Sequence, residues 1–404
     1  MAFQLTPSQE KTVQDAIHWF KHESKQVFEI DGEAGTGKSV VLYEIVRRLK
    51  LKAYQYMSMA YTGQASVVMR TKGFPNAKSI HSSLYEVVRV EQDVSFDPFK
   101  AMNMKLNTPI IHYEFQEMPV GAIDPLVELF IIDEAYMVPK YMKNAILKHG
   151  KKVLVAGDCG QLDPIGDGAA FLTGYGVHHL TELMRQAQDS PIVYLARRAR
   201  RGEPIHNGVY GNRVLVINDT ELTDNMILDV GNILCGTNKT RDYFNNLTRE
   251  RRNIMSPAPM FGERIICRNN NWFIEQDGIN LANGLTGAVC SQYGPGSFDG
   301  KSLNIDFQAD LCVLPFRDLK IDYEYIVSPY DQRKKLKDDK YHNCGELFEF
   351  AYALTTHLSQ GAEFPVGIYF EEFLRSNIQN KLNYTGITRF KEYMIYVKKT
   401  RRIY

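Results

Sequence analysis

Two short stretches hold residues whose types and spacing suit phosphate chemistry. In "DGEAGTGKSVV", Gly32, Gly37, Lys38 and Ser39 fit G-x-x-x-x-G-K-[ST], between an apolar strand and a helix. The glycines let backbone N–H groups close around phosphate oxygens, with Gly35 and Thr36 inside the loop, and the helix N-terminus adds a favourable dipole. Lys38 is placed to reach the β- and γ-phosphates of a nucleoside triphosphate, and Ser39 to hold Mg²⁺. In "LFIIDEAYM" an apolar strand ends in an acidic pair. Asp133 suits the Mg²⁺ shell, and Glu134 can polarise a water. Alone, such a pair could equally cap a helix. Downstream of a phosphate loop it points to hydrolysis, and away from small-molecule kinases, which have no water to activate.

"VAGDCGQLDPIG" is the next polar break after a strand. Gln161 can contact the γ-phosphate or its water; the alternative is a turn rich in Gly, Asp and Pro. Two arginines stand apart: Arg185 in "LTELMRQAQDS" and Arg389 in "LNYTGITRFKEYM". An arginine brought to the γ-phosphate from another domain couples hydrolysis to domain closure and contributes about 10³–10⁵ in rate. Most arginines make surface salt bridges instead. That is the expectation for Arg197, Arg198, Arg200 and Arg201, which line one helix.

These residues need a scaffold. "LTPSQEKTVQDAIHWFKHES" reads as an amphipathic helix with Thr6 as N-cap, Pro7 at the first helical position and Gln9 completing a capping box. "QVFEID" is a buried strand feeding the phosphate loop, and "KSVVLYEIVRRLK" the helix after it. With "VELFIIDE" and "KKVLVAGD" this alternation predicts a parallel sheet flanked by helices. A second such set comprises "RVLVIND", "NILCGTN", "FAYALTT", "VGIYF" and "YMIYV". Two regions break the alternation. Residues 86–122 hold prolines and aromatics with no helical period. Residues 261–345 hold short strands between Gly and Asn turns and read as a small antiparallel β module. "DQRKKLKDDK" at 331–340 reads as a solvated loop or helix face.

Bulk properties narrow the function classes. A length of 404 residues implies two or three domains. With 48 basic and 47 acidic residues the net charge is +1, so any nucleic-acid site must be locally built. Six cysteines without a CxxC pair give no zinc or disulfide framework. The opening "MAFQLTPSQEKTV" has no apolar signal core and no run is long enough to span a membrane, so a cytoplasmic location, with no membrane partner, is expected.

Taken in order, "LTPSQ", "GEAGTGKS", "AYTGQA", "SIHSSLY", "IIDEA", "GDCGQLDPIG", "LTELMRQ", "LTTHLSQGAEF" and "YTGITR" resemble the motifs of superfamily 1 helicases. Within that superfamily they resemble in particular the RecD-like branch, with the phage Dda-type helicases, and the resemblance runs over nearly the whole chain. It implies an α/β fold of two RecA-like P-loop domains with parallel sheets, at 1–180 and 181–404. It also implies a pin-type insertion at 86–122 and an SH3-like β insertion at 261–345. ATP and Mg²⁺ are the implied cofactors, and Gln9 would recognise adenine besides capping its helix. Gln161, Arg185 and Arg389 would sense the γ-phosphate. Thr62, Gly63 and His81 would lie along single-stranded DNA, and Thr356, His357 and Gln360 would link DNA to nucleotide. Phe96 and Phe99 flank a turn dipeptide where the resemblance places the pin, and a ring there would stack on a base at the fork. The implied partners are single-stranded DNA and a duplex fork, together with single-strand-binding, replication or recombination proteins in a bacterial or phage-infected cell. Movement would run 5′ to 3′, and both arginines in one chain would let a monomer suffice. Three positions depart from the family: Tyr136 where Ser is usual, Asp163 for Pro and Leu358 for Lys. A translocase that displaces bound proteins and unwinds weakly stays open. A P-loop small-molecule kinase has no use for "LTTHLSQG" or "GITR", and intact Lys38, Asp133 and Glu134 argue against a DNA-binding accessory with a decayed ATPase.

Overall fold

The computed structural model describes residues 5–92, 110–164, 168–174, 176–291, 297–338, 344–373 and 376–400. Six parallel strands form the first sheet, in the order Lys78–Ser79, Tyr56–Ala60, Leu129–Asp133, Lys152–Gly157, Val27–Gly32 and Val177–Leu180. Leu129–Asp133 is buried at every position, as a strand covered on both faces must be. One face packs on Val13, Trp19, Val41 and Ile45 of the helices Pro7–His22 and Lys38–Leu49. Met142 and Ile146 of the helix Lys140–Leu147 cover the other. The helix Pro7–His22 starts at the expected capping box: Thr6 Oγ1 accepts from the Gln9 backbone N–H at 3.3 Å, and Gln9 Oε1 accepts from the Thr6 N–H at 2.9 Å.

The second sheet also has six strands: Ala353–Thr355, Ile233–Cys235, Phe364–Phe370, Phe390–Lys398, Val214–Asn218 and Gly208–Tyr210. All pairings are parallel except the last. The helices Pro191–Arg200 and Ser376–Ile387 pack against each other beside it, facing the first sheet's phosphate loop.

A five-stranded antiparallel sheet follows the order Phe316–Asp322, Ser302–Ala309, Thr286–Val289, Arg264–Cys267 and Phe348–Phe350. It encloses its own core, with Ile265, Leu303, Phe307, Phe316 and Phe348. Its last strand lies beyond residue 345. "FAYALTT" is therefore not one strand of the second sheet: Phe348–Phe350 belongs to the small module and Ala353–Thr355 to the second sheet. Both strands are buried and, apart from Glu349 and Thr355, apolar, so nothing in the string itself marks the change of sheet. The module's hairpin, Asn271–Gln276 with Ile279–Leu281, reaches the helix Gly63–Thr71 of the first sheet. There Arg70 Nη2 donates to Gly278 O at 2.7 Å, and Val67 joins the module's core. Glu349, 4% exposed, ties the module to the helix Asn238–Arg251 through Arg241 Nη1 at 2.9 Å, and also meets Arg268 and Tyr325.

Tyr85–Gln92 and Ile110–Glu117 pair as an antiparallel hairpin inside the first irregular region, in register from Tyr85↔Glu117 to Gln92↔Ile110. Phe96 and Phe99 lie outside the described residues. The charged stretch after residue 330 is the helix Tyr330–Asp338. It is not wholly solvated, because Arg333 is buried and bonds both oxygens of Asp242 at 2.6 and 2.8 Å.

Candidate active site

The parallel order brings the carboxyl ends of Val27–Gly32, Lys152–Gly157 and Leu129–Asp133 side by side, where open α/β sheets bind ligands. The phosphate loop turns there. Gly37 has φ +77°, and a Cβ at this position would lie 2.6 Å from Gln9 Nε2 and 2.7 Å from Met184 Sδ. Only glycine fits that backbone and that space. Gln9 is 1% exposed and its amide is engaged at both ends: Oε1 on the Thr6 N–H, Nε2 donating to Thr36 O at 2.8 Å. In this conformation Gln9 props the phosphate loop from beneath. Lys38 Nζ reaches back to Gly32 O at 2.6 Å. Ser39 Oγ lies 3.4 Å from Asp133 Oδ2. A hydroxyl and a carboxylate converging in this way form an oxygen donor set that fits Mg²⁺.

Glu134 directly follows the strand and has φ +51°, a left-handed conformation uncommon for a side-chain-bearing residue. The Asp133 carboxylate accepts its N–H at 2.9 Å. Glu134 Oε1 is 3.9 Å from Arg389 Nη1, and Oε2 is buried with no hydrogen-bond partner among the described residues. Burial pushes the Glu134 carboxyl above the ordinary glutamate range; Arg389 pulls it back and Asp133 pushes it further up. A buried carboxyl with a raised pKa and an open acceptor suits taking a proton from water.

Gln161 joins the two sheets. Its Oε1 accepts from Arg389 Nη2 at 3.0 Å and from the Tyr136 hydroxyl at 3.2 Å. Gln360 Nε2 donates to the Tyr136 oxygen at 2.8 Å and to Leu162 O at 3.0 Å. The Leu162 N–H donates to Thr385 Oγ1 at 2.9 Å. Of the γ-phosphate residues expected from sequence, Gln161 and Arg389 therefore touch, with Glu134 beside them. Arg185 opens the helix Arg185–Gln188, and its side chain lies outside those described.

A second bridge corrects the expectation for the helix Pro191–Arg200. Arg200 is not a surface pair: its Nη1 is 2.7 Å from Oδ1 of Asp158, which is 0% exposed. The Tyr384 hydroxyl donates to the other Asp158 oxygen and accepts the N–H of Ala34, in the phosphate loop, at 2.9 Å. Arg197 pairs with Glu33 of the same loop at 3.0 Å. Arg198 and Arg201 do pair locally, with Glu203 at 3.3 and 3.5 Å. The sequence reading missed Tyr136, Asp158, Arg200 and Tyr384 as site residues. Three of them lie inside the motifs quoted above, which was the available signal. Arg200 carried none.

The residues expected along DNA fall on both sheets. Thr62 caps the helix Gly63–Thr71, its Oγ1 accepting from the Ala65 N–H at 3.1 Å. Gly361, at φ +81°, packs onto that cap: a Cβ there would lie 2.8 Å from both Thr62 Oγ1 and Ala65 Cβ. His357 and His81 are half-buried, and burial lowers the pKa of both. Thr356 is 0% exposed and its hydroxyl donates to Cys235 O at 3.1 Å, so here it holds the loop 356–361 to the sheet. Lys72, at the end of the helix Gly63–Thr71, meets Glu363 at 3.0 Å, and Lys391 meets it at 3.1 Å. Burial alone would raise Glu363, but Lys391 and Lys72 outweigh it and hold the carboxyl down to about 2.

Residues 4–216 match the model of a family described as an AAA domain. A comparison with curated protein sequences finds no match. Among solved structures, one of Pif1 helicases, described as two coordinating helicases unwinding forked double-stranded DNA, aligns with a TM-score of 0.55 and 15% identity, over 98% of this chain and 92% of that one. The Pif1 helicase from Candida albicans aligns with a TM-score of 0.53 and 16% identity, over 98% and 94%. The Bacteroides Pif1 helicase in complex with ADP-AlF3 and single-stranded DNA gives 0.53 and 16%, over 98% and 92%. At such identities the likeness is one of fold: two RecA-like units. Among the described residues no helix is long and apolar enough to cross a membrane.

Proposed function

The chain belongs to the AAA domain family, and from that premise we propose that it is an ATP-dependent DNA helicase of superfamily 1. The observation that carries this reading is the meeting of both sheets on Gln161, beside an open carboxylate oxygen of Glu134. A lone ATPase unit has no need of a second sheet whose arginine reaches the first sheet's hydrolytic pair. The fold shared with Pif1 helicases, one of them described with ADP-AlF3 and single-stranded DNA, supports the same reading.

Residues 1–180 form the first motor unit, with a pin-type insertion at 86–122, and 181–404 the second, with an SH3-like insertion that reaches Phe350. The phosphates of ATP lie in the loop from Gly32 to Ser39, against Gly35, Thr36, Gly37 and Lys38. Ser39 and Asp133 would hold Mg²⁺, which would supply neutralisation of phosphate charge. Glu134 accepts the proton of the attacking water. Gln161 and Arg389 sense the γ-phosphate, joined by Arg185. Gln9 braces the loop and lies near the adenine. Because Arg389 and Gln360 come from the second sheet, loss of the γ-phosphate changes how the two sheets meet, and that change moves the DNA. Thr62, Gly63, His81 and His357 line its path, with the buried Thr356 anchoring the loop that carries His357, and Phe96 and Phe99 act at the fork. Motif order supports the RecD-like branch and 5′-to-3′ movement. A monomer suffices, working with single-strand-binding, replication or recombination proteins.

The test is ATP turnover with and without single-stranded DNA. DNA raises turnover, and Glu134→Gln binds ATP and DNA but loses about 10²–10⁴ in rate, the usual worth of a general base. Near-normal turnover in that variant contradicts the assignment.

A further inference from the structure

We propose that Tyr136 is the positioning residue through which the nucleotide state reaches the DNA-facing loop of the second sheet. The inference rests on the helicase reading above. Tyr136 directly follows Glu134-Ala135 in a short 3₁₀ turn and is 1% exposed. Its hydroxyl hydrogen-bonds both glutamine side chains: it donates to Gln161 Oε1 at 3.2 Å and accepts from Gln360 Nε2 at 2.8 Å. Both groups are buried, Gln161 at 3% and Gln360 at 6% exposure, so water cannot stand in cheaply for either bond.

The chain of donors has one direction. Gln360 gives to Tyr136, Tyr136 gives to Gln161, and Arg389 gives to the same Gln161 oxygen. Both donors meet the carbonyl end of the Gln161 amide. That fixes the other end, the NH₂, as the one that can turn to a phosphate oxygen. Drawing Gln161 and Arg389 toward a γ-phosphate removes the acceptor from the Tyr136 hydroxyl. The hydroxyl must then reorient, and its bond from Gln360 changes with it. Gln360 precedes Gly361, whose backbone is pressed against Thr62 Oγ1 and Ala65 Cβ at the cap of the helix Gly63–Thr71. The turn packs closely on the end of the strand Lys152–Gly157, where a Cβ on Gly157 would lie 3.2 Å from the Tyr136 backbone nitrogen. A serine at 136 keeps a hydroxyl but ends too close to the backbone to reach Gln360. The connection therefore belongs to this chain's tyrosine.

The experiment measures the affinity for a fluorescent oligo-dT single strand with ADP and with a non-hydrolysable ATP analogue, in the wild type, Tyr136→Phe, Gln360→Leu and the double variant. Tyr136→Phe keeps the ring and removes only the hydroxyl. The expected result is a several-fold affinity ratio between the two nucleotides in the wild type, falling to within about twofold in each single variant. The double variant falls no further than Gln360→Leu alone, which removes the bond to Tyr136 together with the one to Leu162 O. A full wild-type ratio in Tyr136→Phe overturns the inference, as do single-variant losses that add in the double variant. If Tyr136→Phe does not fold, Gln360→Leu against Gln360→Glu decides. The glutamate cannot donate to the tyrosine and must lose the ratio as the leucine does, and a glutamate that retains it overturns the inference. A wild type that binds no DNA overturns the helicase reading itself and this inference with it, whereas one that binds DNA equally in both nucleotide states overturns this inference alone.

Discussion

Removing the hydroxyl of Tyr384 isolates the bridge between the phosphate loop and the second sheet. Tyr384→Phe keeps the ring, over which Arg200 lies 5.3 Å from the centroid. It deletes one donor to the fully buried Asp158 and one acceptor for the Ala34 N–H. Ala34 is only half-buried, so water can serve its N–H and that loss is small. Asp158 keeps Arg200 Nη1 at 2.7 Å and the Gly160 N–H at 3.0 Å on its other oxygen, but Oδ2 loses its hydroxyl partner. A hydrogen bond to a buried charged group contributes about 1.5–3 kcal/mol, and that is the expected loss. Arg200→Leu leaves the same carboxylate without its cation, a change of about 3–5 kcal/mol for a buried pair. Arg200 is 24% exposed, which places it near the lower end. The two changes share Asp158, so the double variant loses less than the sum. Urea unfolding followed by tryptophan fluorescence measures this, since Trp19 sits in the first sheet's core. The midpoint falls with an unchanged slope. A loss below about 0.5 kcal/mol in Tyr384→Phe, the size of a typical surface change, refutes the reasoning.

Two further outcomes follow from charge. With a net charge of +1 and expected DNA contacts built from hydroxyl, backbone and imidazole groups, binding to single-stranded DNA has a shallow salt dependence. A log–log slope of about −6 or steeper, measured by fluorescence anisotropy across a salt series, refutes that picture. His149 is 9% exposed, with neither ring nitrogen bonded among the described residues, and burial followed by Lys148 lowers its pKa. The folded chain thus keeps the ring neutral while the unfolded chain takes up a proton near pH 6.5. The stability contribution is complete above that pH and is lost as pH falls through it. His149→Phe should therefore lose less in thermal midpoint between pH 7.5 and 5.5 than the wild type; equal losses refute the assignment.

What was legible in the sequence was what is local in it. The capping box joins residues three apart, Thr6 and Gln9, and the phosphate loop fits within eight residues. Strand, loop and helix each carry their own signal there, so fold class and hydrolytic core follow directly. The hairpin Tyr85–Gln92 with Ile110–Glu117 was visible only as a break in helical period. The bridges were not legible. Tyr136 meets Gln360 across 224 positions and Asp158 meets Arg200 across 42. Four arginines in one helical run look alike, and only the packing of Pro191–Arg200 against Ser376–Ile387 selects Arg200 for a buried partner. Gln9 shows the same limit: its spacing marks the cap, while its second bond to Thr36 depends on how the helix Pro7–His22 meets the phosphate loop.

The central claim is that ATP hydrolysis between the two sheets drives strand separation. Its most direct measurement is single-turnover unwinding of a fluorescently labelled duplex carrying either a 5′ or a 3′ single-stranded tail, with ATP and Mg²⁺. The account predicts ATP-dependent unwinding of the 5′-tailed duplex, little or none of the 3′-tailed one, and none of either by Glu134→Gln despite retained DNA binding. Unwinding from the 3′ tail alone would contradict the direction. No ATP-dependent strand separation on either duplex, from a preparation that hydrolyses ATP and binds both, would contradict the claim itself.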